Sequence, residues 1–290
     1  MKNTLLSFGH GYSAQALGRV LIPLGWRVIG TTRDAENLPA ISGQGTEALL
    51  WPGSDMSDAL AQATHLLIST APDDAGDPVL KALRDDIANA PNLEWVGYLS
   101  TIGVYGNHDG AWVDEDTPLT PATKRGQLRV KAEAAWQALA AETGLPLHIF
   151  RLAGIYGPGR GPFAKVRRGT ARRIVKKNQL FSRIHVEDIA QVLLASINHP
   201  DPGRIYNVCD DNPAPPQDVI AYAAELLGLP APPKEDFEAA EMAPMARSFY
   251  AESKSVHNDR IKDELGVTLR YASYREGLQA LLQAEGRILR

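Results

Sequence analysis

The stretch Gly9-His10-Gly11-Tyr12-Ser13-Ala14 decides the fold, because it lies between an apolar run and an amphipathic one. Residues 4–8 before it are predicted to form a buried strand. Residues 13–24 after it are predicted to form a helix, with Gly25 at the helix end. A small-residue turn between a strand and a helix is the arrangement that holds the pyrophosphate of a dinucleotide.

Each small residue of this turn has a physical task. Gly9 permits the tight bend, Gly11 lets the pyrophosphate approach the backbone, and Ala14 allows the helix to pack closely on the strand. The helix N-terminus offers free N–H groups and a partial positive charge to the phosphates. The residues expected to contact a nicotinamide dinucleotide are Gly9, His10, Gly11, Tyr12, Ser13 and Ala14.

The rest of the first half alternates between short apolar strands and helices. The predicted strands are 27–31, 47–51, 65–70, 95–100 and 147–155, and the predicted helices are 57–63, 79–88 and 127–142. This alternation predicts a parallel sheet with helices on both faces, and right-handed crossovers make that sheet doubly wound.

The pattern changes after residue 157. Residues 172–175 and 179–184 are predicted to form a hairpin around Lys177-Asn178. The other predicted elements are helices at 186–198, 216–227 and 274–285, a strand at 204–208 and a proline-rich linker at 229–233. We therefore expect an α/β fold, with a Rossmann-type doubly wound parallel sheet in residues 1–157. Residues 158–290 are expected to form a smaller α+β C-terminal substrate cap, with 184–208 returning to the Rossmann layer.

The composition is that of an ordinary globular protein. The chain has 290 residues, 44% of them hydrophobic and 22% charged, and a formal net charge of -4. That charge gives no general attraction to nucleic acid or to an anionic membrane. The single cysteine excludes an internal disulfide framework. No segment reads as a membrane span or a secretion signal, so we expect a cytoplasmic protein.

The end of the second predicted strand bears on the choice between NAD and NADP. A Rossmann unit that prefers NAD carries an acid there, which accepts a hydrogen bond from the ribose 2′-hydroxyl. Here the strand ends Gly30-Thr31-Thr32-Arg33, and Asp34 comes two residues late. Thr32 and Arg33 suit a 2′-phosphate, because arginine makes charge-assisted bidentate contacts. The sequence favours NADP, with NAD as the alternative if Arg33 is a solvated loop residue.

Five stretches, in this order over nearly the whole chain, resemble the extended short-chain dehydrogenase/reductases of the NAD-dependent epimerase/dehydratase group. They are Asp55-Met56-Ser57-Asp58, Ser69-Thr70-Ala71-Pro72, and the longer segments 99–106, 151–158 and 183–190. The resemblance implies that Asp55 holds the adenine amino group. It further implies that the cofactor runs past Asp55, Met56, Thr70, Ala71 and Pro72.

The resemblance also implies a Tyr and a Lys four residues apart on the helix after the fifth strand. In the family the Tyr transfers a proton, and the Lys lowers the pKa of that Tyr and holds the nicotinamide ribose. Lys131 matches the Lys, but Gln127 stands at the Tyr position, and a carboxamide cannot transfer a proton near neutral pH. Thr101 matches the residue that polarises a carbonyl. With Tyr105 or Tyr156 as a substitute phenol, the candidate catalytic residues are Thr101, Lys131 and Tyr105.

Two functions stay open at this point. The first is an NAD(P)-dependent epimerase, dehydratase or reductase that acts on a nucleotide-sugar or another small carbonyl or hydroxyl substrate. The second is a cofactor-binding sensor or regulatory protein with altered or lost chemistry. Gly154 favours the second function, because it stands where the family has an Asn that lines the site.

Eight basic residues crowd the stretch 160–177. They indicate either an anionic small-molecule substrate or a solvated face. Nucleic acid is not expected, because the stretch has almost no interleaved aromatic residues. The scattered histidines show no metal-ligand pairing, so no metal is expected. By analogy with the family, helices 79–88 and 127–142 are candidates for the pairing surface of a homodimer.

Overall fold

The computed structural model describes residues 3–288 and contains a seven-stranded, wholly parallel central sheet. Its strands, in chain order, are β1 (Thr4–Phe8), β2 (Arg27–Thr32), β3 (Glu47–Leu50), β4 (His65–Ile68), β5 (Trp95–Thr101), β7 (Leu147–Leu152) and β11 (Ile205–Val208). Their spatial order is β11-β7-β5-β4-β1-β2-β3. The chain therefore winds outward in both directions from β1, and the doubly wound Rossmann fold is confirmed.

Six short strands form three two-stranded parallel sheets outside the central one. They are β6 (Trp112–Val113), β8 (Gly154–Tyr156), β9 (Arg173–Val175), β10 (Arg183–His185), β12 (Lys234–Asp236) and β13 (Ser255–Val256). Strand β8 pairs with β10, β9 with β12, and β6 with β13.

Helices cover both faces of the central sheet and build the cap. They are α1 (Tyr12–Leu21), α2 (Leu38–Ser42), α3 (Ser57–Gln62), α4 (Pro78–Ala88), α5 (Lys124–Thr143), α6 (Phe163–Arg167), α7 (Val186–Asn198), α8 (Pro216–Leu226), α9 (Pro244–Ser248), α10 (Asp259–Asp263) and α11 (Tyr274–Ile288). Helices α1 and α7 pack together on one face, and α4 packs against α5 on the other. The cap core lies between α6, α8 and α11.

The predicted hairpin at 172–184 is wrong. Asn178 does adopt the left-handed turn conformation, with φ +58°, but the strands on either side of it pair with other partners. Strand β9 pairs with β12 and packs beside α8, whereas β10 pairs with β8, and its Ile184 belongs to the main hydrophobic core. Because each segment pairs with a different strand, the two do not form a hairpin.

The predicted strand at 147–155 is two strands. The chain leaves the central sheet after Leu152 and starts β8 at Gly154, where it pairs with the cap strand β10. This break at Ala153 carries the polypeptide from the Rossmann body to the cap. The open space between the two parts lies at this crossing.

Candidate active-site cleft

A cleft of about 610 Å³ lies between the carboxyl edge of the central sheet and the cap. Thr101 at the end of β5 and Leu152 at the end of β7 line its floor, and Ser13 of α1 lines one end. Ligands of open α/β sheets bind at this edge, beside the point where the strand order reverses. Here that point lies between β1 and β4.

The turn between β1 and α1 has the geometry of a phosphate cradle. Gly9 has φ +76°, and a Cβ on it would lie 3.1 Å from the Thr70 Cγ2. Gly11 has no such neighbour, because the nearest atom to an added Cβ is the Gly9 carbonyl oxygen at 3.8 Å. Gly11 is the N-cap of α1 and provides no side-chain cap. The first-turn N–H groups are therefore available to phosphate oxygens, and these residues suit a dinucleotide.

The side chain of Tyr12 fastens this turn to the cap. Its hydroxyl donates to the Pro158 carbonyl oxygen at 3.0 Å, and the Arg160 guanidinium lies 5.7 Å from its ring centroid. Any contact of Tyr12 with a phosphate therefore has to come from its backbone N–H. Ser13 lines the cleft, and Ala14 is fully buried where α1 packs on the sheet.

The side chain of His10 does not face the cofactor position. The ring occupies a slot between α1 and β2, where a Cβ on Gly30 would lie 2.5 Å from the His10 Cγ and one on Gly18 would lie 3.4 Å from the Cε1. Burial, reinforced by the charge of Arg19, lowers the pKa of His10 to about 4. His10 was expected to contact the cofactor. Its ring is not placed to do so, because it lies in the slot beside Gly18 and Gly30, and its backbone N–H donates to the Thr31 carbonyl oxygen.

The end of β2 carries Thr32, Arg33 and Asp34, the residues that bear on the choice between NAD and NADP. Thr32 is the last residue of the strand, and its hydroxyl interacts with the backbone of Asp34. Arg33 is exposed. The Asp34 carboxylate accepts from the Glu36 N–H at 3.0 Å and caps the short helical turn that follows. Asp34 is thus engaged locally, which leaves Arg33 as the free ionic group at this edge.

The next two strands place the expected residues unevenly. Asp55 is exposed, and hydrogen bonds from the Ser57 hydroxyl and N–H lower the pKa of its carboxyl group. The side chain of Met56 is buried in the core, so only its backbone faces outward. Beyond β4, Thr70 packs against Gly9, while Ala71 is exposed and Pro72 partly buried.

Helix α5 turns two arginines toward the cleft. Arg125 and Arg129 line it, whereas Gln127 and Lys131 are exposed and do not. A shift of two residues turns a side chain by about 200° around a helix, onto the opposite face. The assignment of Lys131 to the site, with Gln127 at the Tyr position, is therefore corrected: the pair four residues apart on the cleft face is Arg125 and Arg129.

A periodic signal in the sequence marks this face. Ala132, Trp136 and Leu139 are buried under α5, and their spacing of four and three residues is that of one helix face. Arg129 and Arg125 continue the same stripe toward the N-terminus. The sequence interpretation used the family's Lys as its anchor and so missed both arginines.

Arg129 ties the strand ends together. Its Nη1 donates to the Leu99 carbonyl oxygen at 2.8 Å, the Tyr98 hydroxyl at 3.0 Å and the Thr70 carbonyl oxygen at 3.3 Å. These acceptors lie at the carboxyl ends of β4 and β5. Arg129 therefore positions both strand ends where the nicotinamide half of a dinucleotide would lie.

Thr101 is placed as expected. It lines the cleft at the end of β5, and its Oγ1 accepts from the Gly103 N–H at 3.1 Å. Because the oxygen accepts there, the hydroxyl hydrogen remains free to be donated to a bound oxygen atom. The neighbouring Ser100 donates to the buried carboxylate of Glu133, which also pairs with Arg151 at 2.8 Å.

The two tyrosines considered as substitute phenols both form hydrogen bonds within the protein, although Tyr156 also lines the cleft. Tyr105 is fully buried, accepts from Arg151 at 2.9 Å and donates to Asn207 at 2.7 Å. Burial raises its pKa to about 12. Tyr156 directs its hydroxyl at the Ser273 carbonyl oxygen in the cap, and burial raises its pKa well above the ordinary value. Tyr105 is therefore corrected from a catalytic candidate to a core residue.

Only Arg160 of the eight basic residues in 160–177 lines the cleft. Others are used at the surface: Arg167 pairs with Glu285, Arg172 pairs with Glu235, and Lys176 donates to the Tyr250 carbonyl oxygen. The stretch is thus not one basic patch. The remaining cleft cations come from elsewhere in the chain and are Arg125, Arg129, Arg183 and Lys254.

Four of the five cleft cations form no ion pair within the described part of the chain. Lys254 pairs with Glu252, the one acidic residue of the described lining, at 2.8 Å. Among the ion pairs formed by residues 3–288, none includes the four arginines of the cleft, Arg125, Arg129, Arg160 and Arg183. The cleft is therefore electropositive although the chain as a whole carries -4.

Membrane-spanning helices and metal-binding clusters are both absent from the described part of the chain. It contains no helix that is both long enough and apolar enough to cross a membrane. It also contains no cluster of three or more His, Cys, Asp or Glu side chains arranged to hold a metal ion.

Comparison with known proteins identifies the family. The model of the NAD dependent epimerase/dehydratase family matches residues 77–209, which include β5, α5, β7 and the cleft floor. Protein YeeZ of Escherichia coli (strain K12) is 32% identical over 239 residues, covering 77% of this chain and 84% of YeeZ. The chain belongs to the NAD-dependent epimerase/dehydratase family.

Two further family resemblances are informative. The structure of a functionally unknown conserved protein from Silicibacter pomeroyi is 64% identical, with a TM-score of 0.92 over 98% of this chain and 99% of that one. A 3-diazoavenalumate denitrifying reductase from Streptomyces sp is 30% identical over 181 residues, covering 57% of this chain and 58% of the reductase. The family fold is thus shared over the whole chain, and a reductase is among the relatives.

Proposed function

We propose that this family member is a nicotinamide-dependent oxidoreductase that acts on a small anionic substrate. The observation that carries the proposal is the composition of one cleft. At one end lies the uncapped N-terminus of α1, on the floor lies Thr101, and on the walls lie four arginines that form no ion pair within residues 3–288. A dinucleotide laid along the sheet edge would bring its reactive end to those arginines.

The geometry of the α1 turn and the family resemblance together suggest which residues would hold the cofactor. The α1 turn would bind the pyrophosphate, Asp55 the adenine side, and Arg129 the strand ends beside the nicotinamide. A bound nicotinamide would supply hydride transfer. Arg33 favours NADP, because an exposed guanidinium at the end of β2 suits a 2′-phosphate. NAD is the alternative.

The chain's own part in the chemistry is to bind and polarise the substrate. The Thr101 hydroxyl can donate to a substrate oxygen. Neither Arg125 nor Arg129 exchanges a proton, because guanidinium stays charged at every pH at which proteins fold. The kinship with a reductase therefore favours a reduction over epimerisation or dehydration of a nucleotide-sugar, where a phenol on α5 is expected to exchange the proton.

A cofactor-binding sensor or regulatory protein is the second candidate. The two arginines on the cleft face of α5 favour it, since they remove the family's proton-transfer pair. Both candidate functions require the cofactor site, but only the oxidoreductase is expected to turn over a substrate.

Binding and turnover are tested separately. Isothermal titration with NADPH and NADH would be run on the parent, Gly11→Val, and Gly286→Val as a control at an open position. We expect Gly11→Val alone to abolish binding, because its side chain fills the space of the pyrophosphate. Arg33→Ala is expected to weaken NADPH more than NADH, by about 1.5–3 kcal/mol. Equal weakening, or tighter NADH binding to the parent, would refute the preference for NADP.

Turnover is then followed as NADPH oxidation with small keto acids and their uncharged amides. Reduction of the acids alone supports the oxidoreductase. Tight NADPH binding without turnover on any compound supports the sensor.

A further inference from the structure

Arg125 stands where a cation is unfavourable for the helix that carries it. It lies in the first turn of α5, directly after the N-cap Thr123, and that turn contains no acidic residue. The positive end of the helix dipole repels a cation there. Its neighbour Lys124 is paired with Asp74 at 2.7 Å, but Arg125 has no ion-pair partner among residues 3–288. Helix stability thus does not explain its presence.

The single aromatic neighbour of Arg125 comes from the cap. Its guanidinium carbon lies 4.7 Å from the centroid of the Phe249 ring, and Phe249 is 47% exposed and lines the cleft. This contact uses none of the N–H donors of the guanidinium, which remain available to a ligand. Edge donors match a planar carboxylate bidentately.

The lining of the cleft also has an apolar part. Ile102, Leu152, Ile155, Leu180 and Phe181 line it together with Phe249. A diphosphate would leave these walls in contact with a strongly hydrated group. A carboxylate on a flat apolar body would satisfy both the guanidinium and the walls.

A second polar group points to the same ligand. Ser182 lines the cleft and is 4% exposed, and its buried Oγ has no hydrogen-bond partner among residues 3–288. Buried polar atoms are normally hydrogen-bonded, so this hydroxyl is available to a polar atom of a ligand that reaches it. It comes from the cap, whereas Arg125 comes from the Rossmann body.

We propose that Arg125 and Phe249 form a carboxylate subsite, and that the substrate is a small, flat, largely apolar carboxylic acid with one polar group toward Ser182. This inference rests on the proposed function and names its substrate class. It predicts that the acid and the nicotinamide bind in the same cleft, with α5 contributing recognition of charge.

The probes are 2-naphthoate and its uncharged counterpart 2-naphthamide, titrated calorimetrically into the protein with and without NADPH. We expect 2-naphthoate to bind, and its Kd to rise roughly 10- to 100-fold in Arg125→Gln, as for a lost hydrogen bond to a charged group. Arg125→Lys, which keeps the charge and loses the bidentate fork, should be intermediate. The matched control is Arg168→Gln, which removes an exposed charge outside the cleft and should leave the Kd unchanged.

The melting temperature separates misfolding from lost recognition. Arg125→Gln removes a cation from the first turn of α5, so its Tm should equal or exceed that of the parent. Phe249→Leu should weaken 2-naphthoate without changing NADPH binding.

The proposal is overturned if 2-naphthamide binds as well as the acid, or if Arg125→Gln binds the acid like the parent. It is also overturned if UDP-glucuronate binds more tightly than 2-naphthoate in an Arg125-dependent way. If the parent binds 2-naphthoate but does not bind NADPH, the proposed function is refuted and the carboxylate subsite is still supported.

Discussion

Substitution of Glu133 by Gln tests how the interior supports the cleft floor. Glu133 is 2% exposed and Arg151 is 3% exposed, so the pair is excluded from water. The Glu133 Oε2 accepts from the Arg151 Nη2 at 2.8 Å and from Nε at 3.3 Å. Its Oε1 accepts from the hydroxyl of Ser100, a cleft residue.

The magnitude follows from what remains around Arg151. After Glu133→Gln its charge is buried with neutral partners, the Tyr105 hydroxyl at 2.9 Å and the Glu115 carbonyl oxygen at 3.3 Å. Breaking a buried ion pair by removing one charge costs about 3–5 kcal/mol. With an unfolding entropy of ~2.1 cal/mol/K per residue, the expected fall in Tm is about 5–8 °C.

The assay is urea unfolding followed by tryptophan fluorescence. Glu142→Gln is the matched control, because it makes the same change in the same helix at an exposed pair with Arg84, where we expect less than ~1 kcal/mol. The double variant Glu133→Leu/Arg151→Met should regain most of the lost free energy of unfolding, since apolar replacement of both partners removes the stranded charge. If Glu133→Gln and Glu142→Gln differ by less than ~1 kcal/mol, the argument from burial is wrong.

Three further predictions concern the phosphate turn and α5. Gly30→Ala would place a Cβ 2.5 Å from the His10 Cγ and 2.7 Å from the His10 Cβ, so we expect about 1–3 kcal/mol of destabilisation that His10→Gly, which removes both atoms, relieves in the double variant; additive losses would contradict the inward orientation of the ring. Because burial lowers the pKa of His10 to about 4 from 6.5, the unfolded chain takes up a proton there first as pH falls. Relative to His10→Asn, the parent should lose ~1.4 kcal/mol of unfolding free energy per pH unit from 6.5 to 4, and parallel pH profiles would count against it. Finally, the double variant Arg125→Tyr/Arg129→Lys should raise NADPH turnover on an uncharged carbonyl about 100- to 10,000-fold, whereas Gln127→Tyr should not raise it. A gain from Gln127→Tyr would instead support the assignment of Gln127 and Lys131 to the family's Tyr and Lys positions.

The central sheet could be predicted because its signals are local. Each strand from β1 to β5 is a short apolar run, and Gly9 and Gly11 mark the turn by their lack of a side chain. The predicted hairpin is wrong because pairing is not local: Asn178 provides the turn, but β9 pairs with β12 and β10 pairs with β8. A turn signal predicts where the chain turns, but it does not predict which strand each flanking segment pairs with.

The candidate site was less predictable than the fold, and α5 shows why. A motif match to Lys131 gave the right helix but the wrong face, because identity at one position carries no information about rotation around the helix axis. Periodicity does carry that information, and the buried stripe of Ala132, Trp136 and Leu139 places Arg129 and Arg125 on the cleft face.

The same displacement changes what the site can do. With Gln127 and Lys131 in the cleft, the chain would have lost a proton donor and kept a cation for the ribose. With Arg125 and Arg129 there, it has two permanent cations, of which Arg129 is used to hold the ends of β4 and β5 and Arg125 is free. A free permanent cation beside the reacting end selects substrates by charge and cannot exchange protons. Any proton that the reaction needs must therefore come from a group other than these two arginines, and the pH dependence of turnover should not follow α5.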